Sequence, residues 1–106
     1  MGKKECRPYE ESGEGPFAVG AFKVMTTWIE TGQQEFFDGV AGHKVDCRVR
    51  VKFGQLTNAQ RSQFEHEIAS ENVVIRLADG PPRTVIVDDV AHDMDDGAPC
   101  EVIFIN

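Results

Sequence analysis

The chain has 106 residues, 41% of them hydrophobic, which is typical of one globular domain and too short for two. No run of about 20 apolar residues is present, so the sequence predicts no membrane-spanning helix. The net charge of −7 opposes long-range attraction to nucleic acid, which we do not expect as a partner. Three widely spaced cysteines, Cys6, Cys47 and Cys100, argue against a disulfide framework and favour a reducing compartment, the cytoplasm.

The first part of the chain differs in composition from the rest. Residues 1–15 are rich in Lys, Glu, Ser, Gly and Pro and contain few apolar side chains. Such a segment has little to bury, so we expect a flexible tail. The remaining residues, 16–106, are expected to form a single α+β domain.

Two strands are predicted before the helix, with a short strand or an irregular loop between them. Residues 17–30 favour a strand, with Gly20 as a bulge, and residues 34–37 lead into the hairpin dipeptide Asp38-Gly39. Residues 43–53 alternate strictly between apolar and polar side chains. This alternation predicts a strand with one buried and one solvated face.

One helix is indicated at residues 58–69, which contain neither Gly nor Pro. Thr57 is a favoured N-cap, and Gln60 stands three residues later, as in a capping box. Phe64 and Ile68 share one side of this helix, and their narrow apolar stripe predicts that it packs on one face of a sheet.

Three strands follow the helix, at residues 73–77, 84–90 and 100–105. The connections between them are short, which favours antiparallel pairing. The predicted fold is therefore α+β: a mainly antiparallel, twisted sheet of about five strands, with a tendency towards a barrel, and one helix packed on one face.

The last strand is apolar on both faces, so one helix leaves part of the sheet uncovered. Two coverings are open at this point. Either the N-terminal segment around Trp28 folds over the sheet and closes it towards a barrel, or a second subunit covers it. Phe36 and Phe37 point to opposite sides of an extended chain, so one of them lies near the surface and is available to an interface. The candidate interface residues are Val74, Ile86, Ile103, Ile105, Trp28 and Phe36.

Charged residues are unevenly distributed. Residues 43–53 are mainly basic on their polar side, whereas residues 78–106 hold seven acids against Arg83 alone. We expect cross-strand ion pairs between the two regions.

No combination of residues points to catalysis. His43 and Cys47 lie on one strand, but four residues of strand separate them by about 13 Å, too far for a hydrogen bond. No CxxC or HxxxH spacing suggests a structural zinc site. We therefore expect no catalytic residue, no metal site and no cofactor.

The loop before the last strand is acidic. Asp93, Asp95 and Asp96 offer the oxygen ligands that calcium or magnesium prefers. Gly97 comes one position too early for an EF-hand, and Phe104 stands where that motif requires Glu. The loop is interpreted as a solvated acidic connection.

The sequence thus favours a non-enzymatic protein-interaction module that assembles as a small homo-oligomer such as a homodimer. One alternative is a small-molecule or ion-binding domain, or a small enzyme, with a pocket in a partly closed sheet and with His43 and His92 as polar groups. Another is an acidic decoy or inhibitor that uses residues 79–101 to occupy a basic site on another protein.

Overall fold

A computed structural model describes residues 2–106, which form six strands and one helix. In chain order these are β1 (Lys4–Val19), β2 (Phe22–Phe37), β3 (Val40–Phe53), α1 (Asn58–Glu67), β4 (Asn72–Leu77), β5 (Arg83–His92) and β6 (Pro99–Ile105). The α+β class with an antiparallel sheet and one helix is confirmed, and six strands replace the expected five.

The sheet closes into a barrel in the order β1-β2-β3-β6-β5-β4. Every neighbouring pair is antiparallel. Closure is made by the end of β1, where residues Phe17 to Val19 pair with Leu77 to Ile75 of β4. Of the two coverings that the sequence left open, closure of the sheet by the N-terminal segment is therefore the one observed.

The structure differs from the sequence prediction over residues 4–15. These residues belong to β1 and pair with β2 without interruption, from Lys4 opposite Phe37 to Val19 opposite Phe22. Composition alone suggested a tail because the segment buries few side chains. Main-chain pairing with a distant strand and ion pairs such as Lys4–Glu35, at 2.6 Å, order it instead.

Gly20 lies in a turn, not in a bulge. It has a φ of 55° and, with Ala21, separates β1 from β2, so the predicted single strand over residues 17–30 is two strands. The left-handed backbone that Gly20 adopts is accessible to glycine at little cost, which allows the chain to reverse here.

Beyond the barrel, β1, β2 and β3 continue as a three-stranded extension, which we call the β-arm (residues 4–13, 31–37 and 40–46). It makes the molecule 56 Å long but only 25 by 23 Å across. Asp38 and Gly39 form its outer turn with φ of 51° and 83°, the two positive values that a type I′ hairpin needs. The hairpin predicted at this dipeptide is confirmed.

Apolar side chains fill the barrel. The alternation predicted for residues 43–53 is confirmed from Cys47 onwards, because Cys47, Val49, Val51 and Phe53 are buried while Arg48, Arg50 and Lys52 are exposed. Before Cys47 it fails, because the register shift at Asp46 turns Val45 to the same face as Arg48. Strand β6 lies between β3 and β5, with Val102, Ile103 and Phe104 all buried. The remaining fully buried large side chains are Phe17, Phe22, Phe64 and Ile75.

Helix α1 begins as predicted but ends two residues earlier. The Thr57 hydroxyl accepts from the Gln60 amide at 3.1 Å, and the Gln60 side chain accepts from the Thr57 amide at 2.8 Å, which completes the capping box. Packing on one sheet face is not confirmed. Phe64 instead inserts between Phe22 and Phe53, where β2 begins and β3 ends, so the helix covers the barrel end opposite the β-arm.

Over residues 2–106, no helix has the length and apolarity needed to cross a membrane.

Substituting Phe64 by Ala should lower the free energy of unfolding by about 3–5 kcal/mol, because the change leaves a cavity between two packed rings. Urea denaturation followed by circular dichroism measures this loss. Ser62, exposed on the same helix, is the matched control, and Ser62→Ala should change stability by less than about 0.5 kcal/mol. Equal effects from the two variants would show that α1 does not close the barrel.

Candidate interaction site on the β-arm

A network of four polar side chains joins the β-arm to the barrel. Tyr9 of the arm donates its hydroxyl proton to Glu30 Oε2 at 2.5 Å, and Arg83 Nη1 donates to Glu30 Oε1 at 2.6 Å. The Tyr9 oxygen also lies 3.1 Å from Cys47 Sγ. Since a phenol carries one proton, the thiol is the donor in this second contact. Strands β1, β2 and β5 therefore meet at one carboxylate, and β3 joins them through the Tyr9 hydroxyl.

The charges in this network are held in fixed protonation states. Burial raises the pKa of Tyr9, and the hydrogen bond that it donates to Glu30 raises it further, so the phenol stays neutral. Burial alone would raise the pKa of Glu30, but the hydrogen bonds from Arg83 and Tyr9 outweigh it and hold that pKa below its ordinary value. A neutral phenol and a paired carboxylate are suited to holding two segments together rather than to transferring a proton.

Close packing adds to this polar junction. Tyr9 lies over Gly32, directly opposite on β2, where a Cβ atom would come within 2.9 Å of the ring. The Lys44 ammonium lies 4.9 Å from the centre of the Tyr9 ring and pairs with Glu11 at 2.7 Å. Each arm strand therefore contributes to fixing the direction of the arm.

The tip of the β-arm is apolar and exposed. Phe37 and Val40 are directly opposite each other next to the turn, and 45% and 69% of their surfaces remain accessible. Lys4 flanks them, 5.9 Å from the centre of the Phe37 ring. Two adjacent apolar side chains on a projecting element are typical of a binding surface.

The outer edges of the arm are poorly suited to strand addition. The Pro16 carbonyl accepts a hydrogen bond from the Ala78 amide, so the main-chain groups of Pro16 point to the edge of β1 that faces away from β2. Pro8 is eight residues earlier in a strand that pairs with β2 without interruption, so its main-chain groups point to the same outer edge. Pro8 has no N–H to offer there, which protects an edge strand. On the other edge β3 carries two register shifts, one of them beside Asp46 with a φ of 53°. The arm is therefore expected to bind through its side chains.

A surface groove lies where the arm meets the barrel. It has a volume of about 470 Å³. Its lining includes Ser12 and Glu14 of β1, Thr27 and Ile29 of β2, and Arg50 and Lys52 of β3. The groove floor thus contains Thr27 and the exposed Ile29, with Glu14 on the β1 side and Arg50 and Lys52 on the β3 side.

The predicted cross-strand ion pairs are present beside this groove. Arg50 pairs with Glu101 at 3.1 Å, Lys52 with Glu101 at 3.9 Å, and Arg48 with Asp88 at 3.4 Å. Two of the seven acids in residues 78–106, Asp88 and Glu101, are therefore balanced by basic side chains of β3.

The six candidate interface residues do not form one surface. Ile86 lies directly opposite Ile105, and Val74 is 52% exposed on β4, but Ile103 is only 7% exposed. Trp28 faces the core and lies over Gly13. Phe36 is on the arm, with the Arg7 guanidinium 4.7 Å from its ring centre.

The acidic loop uses its carboxylates to shape its own turns. Asp93 accepts from the Asp95 amide and Asp96 from the Ala98 amide, both at 2.8 Å. His43 is on the arm, whereas His92 ends β5 beside this loop, so the two histidines are far apart. In the part of the chain that the structure describes, no three His, Cys, Asp or Glu side chains are grouped so as to hold a metal ion.

Sequence reasoning missed the residues that matter most at this site. Tyr9 lay in the presumed tail, and Glu30 and Arg83 are 53 residues apart. The one available signal was a glutamate, Glu30, within an otherwise β-favouring stretch. Of the two adjacent phenylalanines, Phe37 and not Phe36 is at the exposed tip.

No protein-family model matches the chain, and no similar protein is found among curated proteins or solved structures. The function is therefore inferred from the geometry.

Replacing Glu30 by Gln should lower the free energy of unfolding at neutral pH by about 1–3 kcal/mol, because Arg83 loses its charged partner. The pKa of Glu30 is lower in the folded chain than its ordinary value of 4.5. The stability that its ionised form contributes is therefore complete above 4.5 and is lost as the pH falls through the folded pKa. The difference between wild type and variant should shrink in acid.

Urea denaturation at a series of pH values between about 7 and about 3 measures this difference. Glu10 is exposed and has no side-chain partner among the described residues, so Glu10→Gln is the control and should change stability by less than about 0.5 kcal/mol. An equal loss at every pH would show that Glu30 stabilises the fold by its packing alone.

Proposed function

We propose that the protein is a non-catalytic interaction module that forms a small homo-oligomer, in the simplest case a homodimer, through its β-arm. The observation that carries this proposal is the exposure of Phe37 and Val40 together at the tip of an arm whose base is fixed by the Tyr9–Glu30–Arg83 network.

The energetics of the arm support this proposal. Ordering the main chain costs about 1–2 kcal/mol per residue, and burial of apolar side chains is the main compensation in a small domain. The arm buries few such side chains and relies on hydrogen bonds and ion pairs, which contribute less. Association would bury the tip and add the stabilisation that the lone arm lacks.

The absence of an arranged catalytic group among residues 2–106 is consistent with a non-catalytic role. The buried carboxylate has two hydrogen-bond donors, and no buried side-chain nitrogen or oxygen in this range lacks a partner. A buried polar group without a partner is one sign of a catalytic or ligand site. The three free cysteines support a reducing compartment, and we propose the cytoplasm.

The two alternative functions have less support. Phe17, Val51 and Phe104 fill the barrel interior, which leaves a ligand to the surface grooves. An acidic decoy requires free carboxylates, but Asp88 and Glu101 pair with arginines, and Asp93 and Asp96 are engaged in loop turns.

Sedimentation equilibrium should show wild-type self-association that Phe37→Glu and Val40→Glu each weaken by about 10- to 100-fold. Burying a phenylalanine is worth about 1.5–3 kcal/mol, and the new carboxylate has no partner in an apolar contact. Met94 is fully exposed in the acidic loop, and Met94→Glu, the matched control, should leave association unchanged. A monomeric wild type at high concentration would refute the proposal.

A second variant separates the arm from the barrel surface that the sequence suggested. Val74 is exposed on β4, away from the arm, and Val74→Glu should not affect association. Dissociation by Val74→Glu, with Phe37→Glu still associated, would place the interface on the barrel instead.

A further inference from the structure

The structure points to a specific docking site for the arm: we infer that Phe37 and Val40 of one copy enter the surface groove at the arm base of the second copy. This inference rests on the proposed function and adds to it the receiving surface and the symmetry of the dimer. The occupant is the tip of a second copy of this chain.

Tip and groove lie on the same side of β2. Ile29 in the groove and Phe37 at the tip are eight residues apart, and β2 pairs with β1 without a register shift between them. Side chains an even number of residues apart share a face of a strand. Both also face away from the Glu30 network, since residue 30 has the opposite parity.

A two-fold axis midway between these positions brings each tip to the other copy's groove. Eight residues of strand span about 27 Å, so an axis near Gln33 places Phe37 of each copy opposite Ile29 of the other. The two arms then lie antiparallel with these faces in contact. Such an isologous contact is closed, so assembly stops at two copies.

The charges along the arm are complementary in this arrangement. On the contacting face of β1, Lys4 lies at the tip, whereas Glu10 and Glu14 lie towards the base. The antiparallel contact brings Lys4 of each copy towards the acidic base of the other. On β3 the order is reversed, because Arg50 and Lys52 are at the base and Asp38 is in the tip turn. In this arrangement β1 faces β1 and β3 faces β3, so each charged end of the arm meets an end of opposite charge, which favours association.

The size of the contact sets the expected strength. Three strands spaced by about 4.8 Å and about 27 Å long present roughly 400 Å² per copy. The total of roughly 800 Å² lies below the about 1,200 Å² of specific stable interfaces, which predicts a weak dimer with a dissociation constant in the micromolar range. The measurement therefore needs protein at tens to hundreds of micromolar.

The first test blocks the groove. Thr27→Arg places a long side chain on its floor and should weaken self-association by at least about 10-fold in sedimentation equilibrium. Thr84 is also an exposed strand threonine, on β5 away from the arm, and Thr84→Arg is the matched control, which should associate like wild type. Circular dichroism and thermal unfolding confirm that both variants keep the fold.

A second test asks directly what the tip contacts. Cys6 is exposed, so the background carries Cys6→Ser. Val40→Cys keeps Phe37 in place at the tip, and Arg50→Cys marks the part of the groove that Val40 faces in this arrangement, because Arg50 pairs with Ile29 and Val40 with Phe37. The two single variants, made with different masses, are mixed under mild oxidation and separated without reductant. We expect a mixed disulfide dimer between them.

The outcomes distinguish the two levels of the proposal. A dimer cross-linked only between two Val40→Cys chains, or Thr27→Arg associating like wild type, overturns the groove as receptor but leaves arm-mediated association standing. A wild-type chain that remains monomeric at hundreds of micromolar overturns both. A mixed cross-link together with loss of association in Thr27→Arg supports both.

Discussion

The fold depends on the carboxylate of Glu30 being paired where the barrel becomes an arm. A buried carboxylate without partners is costly, and here Arg83 from β5 and Tyr9 from β1 donate to its two oxygens at 2.6 and 2.5 Å. Both donors come from strands other than β2. The carboxylate is therefore satisfied only when β1 and β5 are correctly placed. Barrel closure and arm direction are consequently coupled through one side chain.

Local signals in the sequence predicted local structure well. The Thr57 and Gln60 capping box, the Asp38-Gly39 turn and the alternation over residues 47–53 depend on residues within one turn or one strand. The fold class followed from the order of such elements. The finer arrangement did not follow, because closure depends on β1 pairing with β4 more than 50 residues later. No local pattern encodes that distance.

The arm and its base network could not be predicted for the same reason. Residues 4–15 have the composition of a tail, and what orders them is pairing with β2 and ion pairs to Glu35 and Lys44. Composition predicts how much a segment can bury, but not what its main chain can pair with. Phe36 and Phe37 were correctly seen as pointing apart, yet only the turn at residue 38 decides which of them is at the tip.

A rigid arm is an efficient binding element because its conformational entropy is lost during folding and not during binding. A disordered segment of the same length would lose about 1–2 kcal/mol per residue when it bound, more than a contact of this size returns. The Tyr9–Glu30–Arg83 network fixes the base, and Pro8 and the β3 bulges restrict strand addition at the edges. These features leave the tip and one face of the arm for contact. A small but preorganised surface can then support a specific, reversible dimer.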